Sequence, residues 1–386
     1  MKTVLMLATT AAMIEQFNKD NILILEEMGY EVHVVGNFLA GNPISDKRLE
    51  EFKIWIEAHH GKWFHISATR KPTDMKHNVA AYIRVIHLIQ EYHYEFIHCH
   101  TPIGSVIGRL AAHKTHTKII YTAHGFHFFK GAPLINWILY YPVERFLSRW
   151  TDMLILINKE DYNRAKKSFH AKRTEYIPGV GVDVEKYKQT ALDSETRKMK
   201  REELGVKEDE VLILSVGELI ERKNHRVAIE AISKLPSRKI KYAICGKGIL
   251  EEVYRSRIKE LGLENRILLL GFREDIHELC NAADIYLFPS KQEGMSLALM
   301  EAMATGLPII ASNIRGNADL IDEKGGYLVK CNDVEQYVDA IEKIVVDSDK
   351  QVSMGMYNRD SAEKYNIRLI HEIMKDRYLD ILTDLS

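Results

Sequence analysis

Residues 285–312 read IYLFPSKQEGMSLALMEAMATGLPIIAS, and their order decides the architecture. An apolar β-like run ends at Pro289–Ser290, a polar loop KQEGM follows, and Ser296 is placed to cap a helix LALMEAMAT that Gly306 and Pro308 stop. The next apolar run, PIIAS, is a second strand. Strand, helix and strand in about thirty residues make the unit of a parallel sheet. A helix start behind a strand presents free N–H groups and partial positive charge, a cradle for phosphate. Two acids flank it. Glu293 stands in the loop, and Glu301 falls in the helix among Leu299, Met300, Ala302 and Met303, where no solvated face is expected. Carboxylates repel phosphate but accept hydrogen bonds from sugar hydroxyls, so the combination suits a nucleotide sugar. The plainer alternative makes Glu293 a solvated loop acid and Glu301 a dipole-favoured helix acid.

Working outward, similar β-like runs cover 3–8, 31–36, 96–100, 118–124, 153–157 and 174–178, then 211–217, 241–246, 266–272, 285–290 and 308–312, with helical patterns between them. That alternation predicts an α/β protein with two doubly wound, Rossmann-like parallel-sheet domains facing a central cleft. Residues 183–210 are polar, charged and without β-like runs, which predicts a linker with a surface helix. The boundary is therefore set at 188/189, giving domains 1–188 and 189–363. After about residue 363, Tyr365, Leu369, Ile370, Met374, Tyr378 and Ile381 recur at helical spacing. Ligands of such sheets sit beyond the C-terminal strand ends, which places the expected site in the cleft.

A chain of 386 residues with formal net charge −1 has no excess charge that would point to nucleic acid. The stretch from Lys118 to Arg173 is an exception, with ten Lys/Arg against four Asp/Glu. Cys99, Cys245, Cys280 and Cys331 form no C-x-x-C pair, which argues against a zinc site or a disulfide framework and for a reducing compartment. The opening MKTVLMLATTAA is shorter than a usual signal-peptide core and runs into a helical pattern, so it is expected to be a buried strand. No apolar run approaches the ~20 residues that span a bilayer. The expected location is the cytoplasm, with peripheral attachment to the inner face of the plasma membrane as a possibility raised by 126–150. There FHFFKGAPLINWILYYPVERFLSRW mixes aromatics with cations and fits an anionic membrane surface as well as it fits a buried helix.

Other candidates follow the strand ends. Arg222 and Lys223, close after Gly217, offer cations for a diphosphate. His124 ends the 118–124 strand toward the expected cleft, whereas His100 and His127 default to structural roles. Gly246 in G-K-G permits close approach of a nucleotide. Asp347-Ser348-Asp349 has the D-x-D form of a metal-diphosphate site but sits between two helical patterns, and is expected to be solvated.

The strings VGELIERKN, LLGFRED and EGMSLALMEAMATGLPIIAS, in that order, resemble retaining glycosyltransferases of family 4 (group 1) with the GT-B fold. TAHGFHFFKGAP and IPGVGVD are similar to bacterial enzymes of exopolysaccharide and capsule assembly. The resemblance implies an N-terminal acceptor domain joined by the C-terminal helix 364–386 and a C-terminal donor domain. It implies that Glu293 contacts the donor sugar near its reacting centre, that Gly294, Met295 and Ser296 lie along sugar and phosphate, and that Glu301 holds the ribose. Arg222 and Lys223 would neutralise the departing diphosphate, and His124 would stand beside the transferred sugar. No metal and no cofactor are implied, the UDP-sugar being a substrate. One departure stands out: many members carry Gly-Gly after the first strand, where this chain has Thr9, Thr10, Ala11 and Ala12. These small residues are expected to keep space for a ligand.

The expected activity is that of a metal-independent hexosyltransferase (EC 2.4.1.-). It would move a hexose or N-acetylhexosamine from a UDP-sugar to a polyprenyl-diphosphate-linked saccharide. A nucleotide-sugar 2-epimerase of the same fold and a non-catalytic nucleotide- or lipid-binding partner are the alternatives.

Overall fold

The computed structural model describes residues 2–42, 44–191, 193–237 and 239–383, except the side chains of 189–191. Leu192 of the polar stretch and residues 384–386 of the expected last helix lie outside the described residues. The chain divides into two compact units, Met1–Pro178 with Ile370–Ser386, and Gly179–Leu369.

Unit 1 holds β1 (Lys2–Thr10), β2 (Tyr30–Asn37), β3 (Lys62–His65), β4 (Phe96–His100), β5 (Lys118–Ala123), β6 (Met153–Leu156) and β7 (Arg173–Tyr176). They form one sheet ordered β3-β2-β1-β4-β5-β6-β7, and each pairing is parallel. Strand β1 shows why it sits in the middle. Its Val4, Met6 and Ala8 enter one apolar cluster while Leu5 and Leu7 enter another, as the two-residue period of a strand buried on both faces requires. Ile370, Met374, Tyr378 and Ile381 of the Ile367–Thr383 helix complete the first of these clusters.

Unit 2 repeats the plan with β8 (Val211–Val216), β9 (Ile240–Cys245), β10 (Ile267–Gly271), β11 (Ile285–Phe288), β12 (Ile309–Ser312) and β13 (Gly326–Val329), ordered β10-β9-β8-β11-β12-β13 and again parallel. In both sheets the strand order reverses beside the first strand, between β1 and β4 and between β8 and β11. Such a reversal opens a crevice at the carboxyl ends of the two strands.

Several expectations need correction. β3 and β13 were absent from the sequence reading. Each is a four-residue edge strand, half-exposed in β3 and opened by a glycine in β13, so neither shows a β-branched run. Gly326 is required there because a Cβ would meet the Ile309 carbonyl oxygen at 1.9 Å. The 183–210 stretch is not a linker with one surface helix. It forms the helices Val184–Ala191 and Ser194–Glu203. Val184 and Tyr187 are buried, so the unit boundary falls ten residues before the position expected from composition. The second helix buries no side chain completely and is held by charge: Arg197 and Arg201 both grip Asp284, which also accepts from the Leu212 N–H at 2.7 Å. A charged helix fixed by ion pairs looks like a linker in sequence.

The 126–150 stretch is also sharpened. Its helix, Leu134–Leu147, is not buried: Leu134, Ile135, Ile138, Leu139, Val143 and Phe146 are all exposed. The inner face packs Trp137, Tyr140 and Tyr141 against the unit 1 core, buries Leu147, and sets Glu144 against Arg109 at 2.8 Å, with that guanidinium also 4.5 Å over the Tyr121 ring. Among the described residues no helix is long and apolar enough to cross a membrane.

Candidate functional site

At the β8/β11 reversal of unit 2, the chain brings together the residues that the sequence separates by seventy positions. After β8, a single 3₁₀ turn, Glu221–Lys223, aims Arg222 and Lys223 toward the loop that follows β11. Lys223 Nζ is 2.7 Å from one Glu293 oxygen and Arg222 is 3.2 Å from the other. Burial by itself would raise the Glu293 pKa, but the nearby Lys223 and Arg222 charges outweigh it and hold the carboxyl below its ordinary value. Glu293 is therefore a fixed anion, not the solvated loop acid of the plainer reading.

The turn is tied to that loop through main chain as well. The Lys291 N–H donates to the Arg222 carbonyl at 2.8 Å, and Arg222 donates to the Gln292 carbonyl at 2.9 Å. Asn224, in the left-handed region at φ 55°, donates to the carbonyls of Pro289 and Cys331. Gly217 leaves room for the Lys223 stem, since a Cβ would lie 3.2 Å from Lys223 Cδ. Gly246 has a packing reason to be glycine: a Cβ there would meet the Gly217 carbonyl oxygen at 1.9 Å.

Ser296 caps the Leu297–Thr305 helix as expected, its hydroxyl accepting from the Leu299 N–H. Gly294 and Met295 lie between Glu293 and this cap, with Met295 buried. Two residues that sequence reading missed clamp this loop from beyond β12. Arg315 donates to the Glu293 carbonyl at 3.1 Å, and Gly316 packs so tightly that a Cβ would lie 2.3 Å from the Gly294 carbonyl oxygen. An Arg-Gly pair just after a strand was the available signal.

Glu301 lies one helix turn further on, largely buried. Burial raises its pKa, and the Tyr187 hydroxyl, its hydrogen-bond partner, only partly offsets this. Tyr187 comes from the stretch read as linker, so this partner was invisible in sequence. Asp347 of the D-x-D string caps the Ser348–Ala362 helix by accepting from the Lys350 N–H at 3.0 Å.

Unit 1 places the remaining candidates. His124 follows β5, and its Nε2 lies 3.1 Å from His100 Nδ1. His100 Nε2 faces the Met6 sulfur at 3.2 Å. Sulfur accepts a proton weakly and offers none, so Nε2 carries the His100 proton and Nδ1 accepts from His124. That assignment leaves His124 Nδ1 as an acceptor. His98 packs on His100 with ring centroids 4.2 Å apart, and is held by Tyr378 and Thr122, each at 2.8 Å. Burial lowers all three imidazoles, His98 to about 3, His124 to about 4 and His100 well below the usual value, so the row is neutral at pH 7. His100, expected to be structural, thus orients His124.

The Thr9–Ala12 segment does not form an open loop. β1 runs through Thr10 and a helix starts at Ala11, with all four residues buried. The Thr9 and Thr101 hydroxyls meet at 2.7 Å, Thr101 also accepts from the Thr9 N–H, and Asn42 takes the Ala12 N–H. Thr9 and Thr10 still line an open pocket of about 270 Å³, so the space expected beside these small residues is present.

Comparison with known proteins now bears on this geometry. Residues 22–186 match the family described as Glycosyltransferase Family 4, and residues 196–361 match Glycosyl transferases group 1. EpsD of Bacillus subtilis (strain 168), named as a glycosyltransferase, is 36% identical over 386 residues, covering 98% of this chain and 96% of EpsD. The chain belongs to this glycosyltransferase family. An Escherichia coli relative, named UDP-Gal:alpha-D-GlcNAc-diphosphoundecaprenol alpha-1,3-galactosyltransferase, is 28% identical over 320 residues, 81% of each protein. The Anabaena protein Alr3699/HepE, solved with UDP-glucose, superimposes with a TM-score of 0.78 at 19% identity over 98% of this chain and all of that one. That likeness is one of fold, and it identifies both sheets as the Rossmann-like domains of a GT-B glycosyltransferase.

Proposed function

We propose that this glycosyltransferase moves a hexose or N-acetylhexosamine from a UDP-sugar, with retention at C1 and without a metal ion, onto a polyprenyl-diphosphate-linked saccharide during cell-surface polysaccharide synthesis. The observation that carries the reading is the buried Glu293 carboxylate held between Lys223 and Arg222 beside the Ser296-capped helix start. The E. coli relative's name, a UDP-sugar donor with a diphosphoundecaprenol acceptor, supports the substrate pair. The UDP-glucose found with HepE supports the donor class.

In this scheme the C1–O bond to the β-phosphate breaks and its electron pair stays on the diphosphate. Arg222, Lys223 and the helix N–H groups stabilise that growing charge. The acceptor oxygen bonds to C1 from the face that the phosphate leaves, and its proton passes to the departing phosphate oxygen. Glu293, released from its cations as they turn to the diphosphate, faces the positive charge that develops at the sugar. Glu301 accepts from ribose hydroxyls, and the His124 Nδ1 acceptor receives a hydroxyl of the transferred sugar. Unit 2 thus takes the donor and unit 1 the acceptor.

The exposed 134–147 face, flanked by Lys130, Arg145 and Arg149 and with its one acid turned inward to Arg109, seats the protein on an anionic membrane. Sedimentation with vesicles containing phosphatidylglycerol, but not with neutral ones, is the expected result at low salt.

The main test incubates the protein with a panel of UDP-sugars, with and without a prenyl-diphosphate-linked N-acetylglucosamine, and in EDTA. Transfer only in the presence of acceptor, unaffected by EDTA, is expected. Appearance of the 2-epimer from UDP-N-acetylglucosamine alone would replace this reading with the epimerase one.

A further inference from the structure

We infer that the pocket at the β1/β4 reversal of unit 1 binds the diphosphate and first sugar of the lipid-linked acceptor, with Arg70 as its phosphate ligand. The inference rests on the acceptor class proposed above and assigns it a place. The pocket has a volume of about 270 Å³ and is lined by the end of β1 and residues that follow β1 and β4, together with Arg70, Pro72, His127 and Tyr140. Its position is the crevice where a doubly wound sheet takes its ligand.

The lining chemistry selects an anion with an apolar part. Arg70 is the one formally charged residue among those lining the pocket, and no carboxylate is present. Among the described residues Arg70 has neither an ion pair nor a hydrogen bond, so its five donors are available. A guanidinium in this state matches the paired oxygens of a phosphate. Met13, Phe17 and Ile103 supply an apolar wall, and Phe17 is 38% exposed.

His127 and Tyr140 form a second element. Their rings stack with centroids 4.6 Å apart at 25°, and Asn136 fixes the base of the stack by donating to the His127 carbonyl at 3.0 Å. A flat aromatic pair of this kind covers the C–H face of a sugar ring. Tyr140 also belongs to the helix that carries the exposed Leu139 and Val143, so the pocket is continuous in sequence with the face assigned to the membrane. A water-soluble acceptor would need no such neighbour. Thr9 and Thr101, paired through their hydroxyls, both line the pocket, which gives the missing Gly-Gly a purpose: it shapes an acceptor pocket in place of a donor loop.

The test titrates the full-length protein with farnesyl diphosphate and, separately, with UDP, for wild type, Arg70→Ala, Arg70→Lys and Tyr140→Ala. Arg70→Ala should weaken farnesyl diphosphate by about tenfold or more. Arg70→Lys should recover part of this, and UDP affinity should stay within about twofold. Tyr140→Ala should raise KM for a prenyl-diphosphate-linked N-acetylglucosamine while leaving farnesyl diphosphate binding nearly unchanged. Equal binding of farnesyl diphosphate by wild type and Arg70→Ala, displacement of it by UDP alone, or no binding by wild type overturns the assignment. Failure of the donor reading would appear differently, as absence of UDP binding in the wild-type protein.

Discussion

Units 1 and 2 share a sheet plan, yet the groups at their strand reversals have opposite chemistry. Unit 2 sets a buried carboxylate between two cations. Unit 1 sets a row of neutral imidazoles, a pair of hydroxyls and one unpaired guanidinium beside apolar walls. The same crevice therefore serves as a charged, preorganised site in one unit and an amphipathic one in the other. In the proposed function the charged site meets a leaving group that gains charge, and in the proposed acceptor pocket an apolar wall with a single fork holds a lipid-bearing anion.

The largest effect that could break this contrast is at Glu293. Glu293→Gln should lower transfer by about 10³-fold, the scale of a lost transition-state group. UDP should bind at least as tightly as before, because Lys223 and Arg222 lose their internal partner; isothermal titration of UDP measures this. Weaker UDP binding would show that Glu293 does not compete for those cations.

Next is stability. Lys223→Ala leaves the Glu293 carboxylate with Arg222 alone, and thermal unfolding should show a loss of about 3 kcal/mol. The double variant Lys223→Ala with Glu293→Gln should recover much of it. An unchanged melting temperature in the single variant would mean that the pair is solvated in solution.

The third prediction separates the units by pH. His98, His100 and His124 have folded pKa values below those of the unfolded chain, so between about pH 6.5 and 4 the unfolded state binds more protons. Unit 1 should lose stability as pH falls through that window, by about 1.4 kcal/mol per pH unit for His98 alone. Glu293 and Asp275 of unit 2 are shifted below the ordinary carboxylate range, so their contribution is complete above the unfolded carboxylate values of about 4 and is lost progressively as pH falls from there through the lowered ones. His225 is unit 2's deeply buried counterpart, lowered to about 4. Hydrogen exchange after brief exposure to pH 5 should therefore show earlier loss of protection in β4 and β5 than in β8 and β11. The opposite order would refute the assignment of neutral imidazoles.

The smallest effect tests the helix start. Ser296→Ala removes the cap on the Leu299 N–H and should cost about 1 kcal/mol in thermal unfolding. Ser296→Asp should restore it while weakening UDP, since a carboxylate would then compete with phosphate.

How much was legible differs between the units for the same reason. In unit 2 the acids and cations stand out against apolar sequence: Glu301 interrupts a helix of Leu, Ala and Met, and Arg222–Lys223 closely follows a strand. Unit 1 offers no such contrast. His100 and His127 looked like ordinary histidines, and Arg70 sits in a loop with no motif around it. Their meaning depends on neighbours 24, 13 and roughly 70 residues away.

The sequence alone determined the alternation of strand and helix, the family and the local cap at Ser296, because each depends on residues within a few positions of one another. Only the tertiary structure decided that Glu293 is ionised between two cations, that Tyr187 rises from a charged stretch to reach Glu301, and that the 134–147 helix leaves an apolar face exposed opposite the one it packs on the core. Those outcomes depend on burial and on charges brought together across a fold. A side chain's ionisation and exposure depend on what surrounds it in space, which spacing along the chain does not specify.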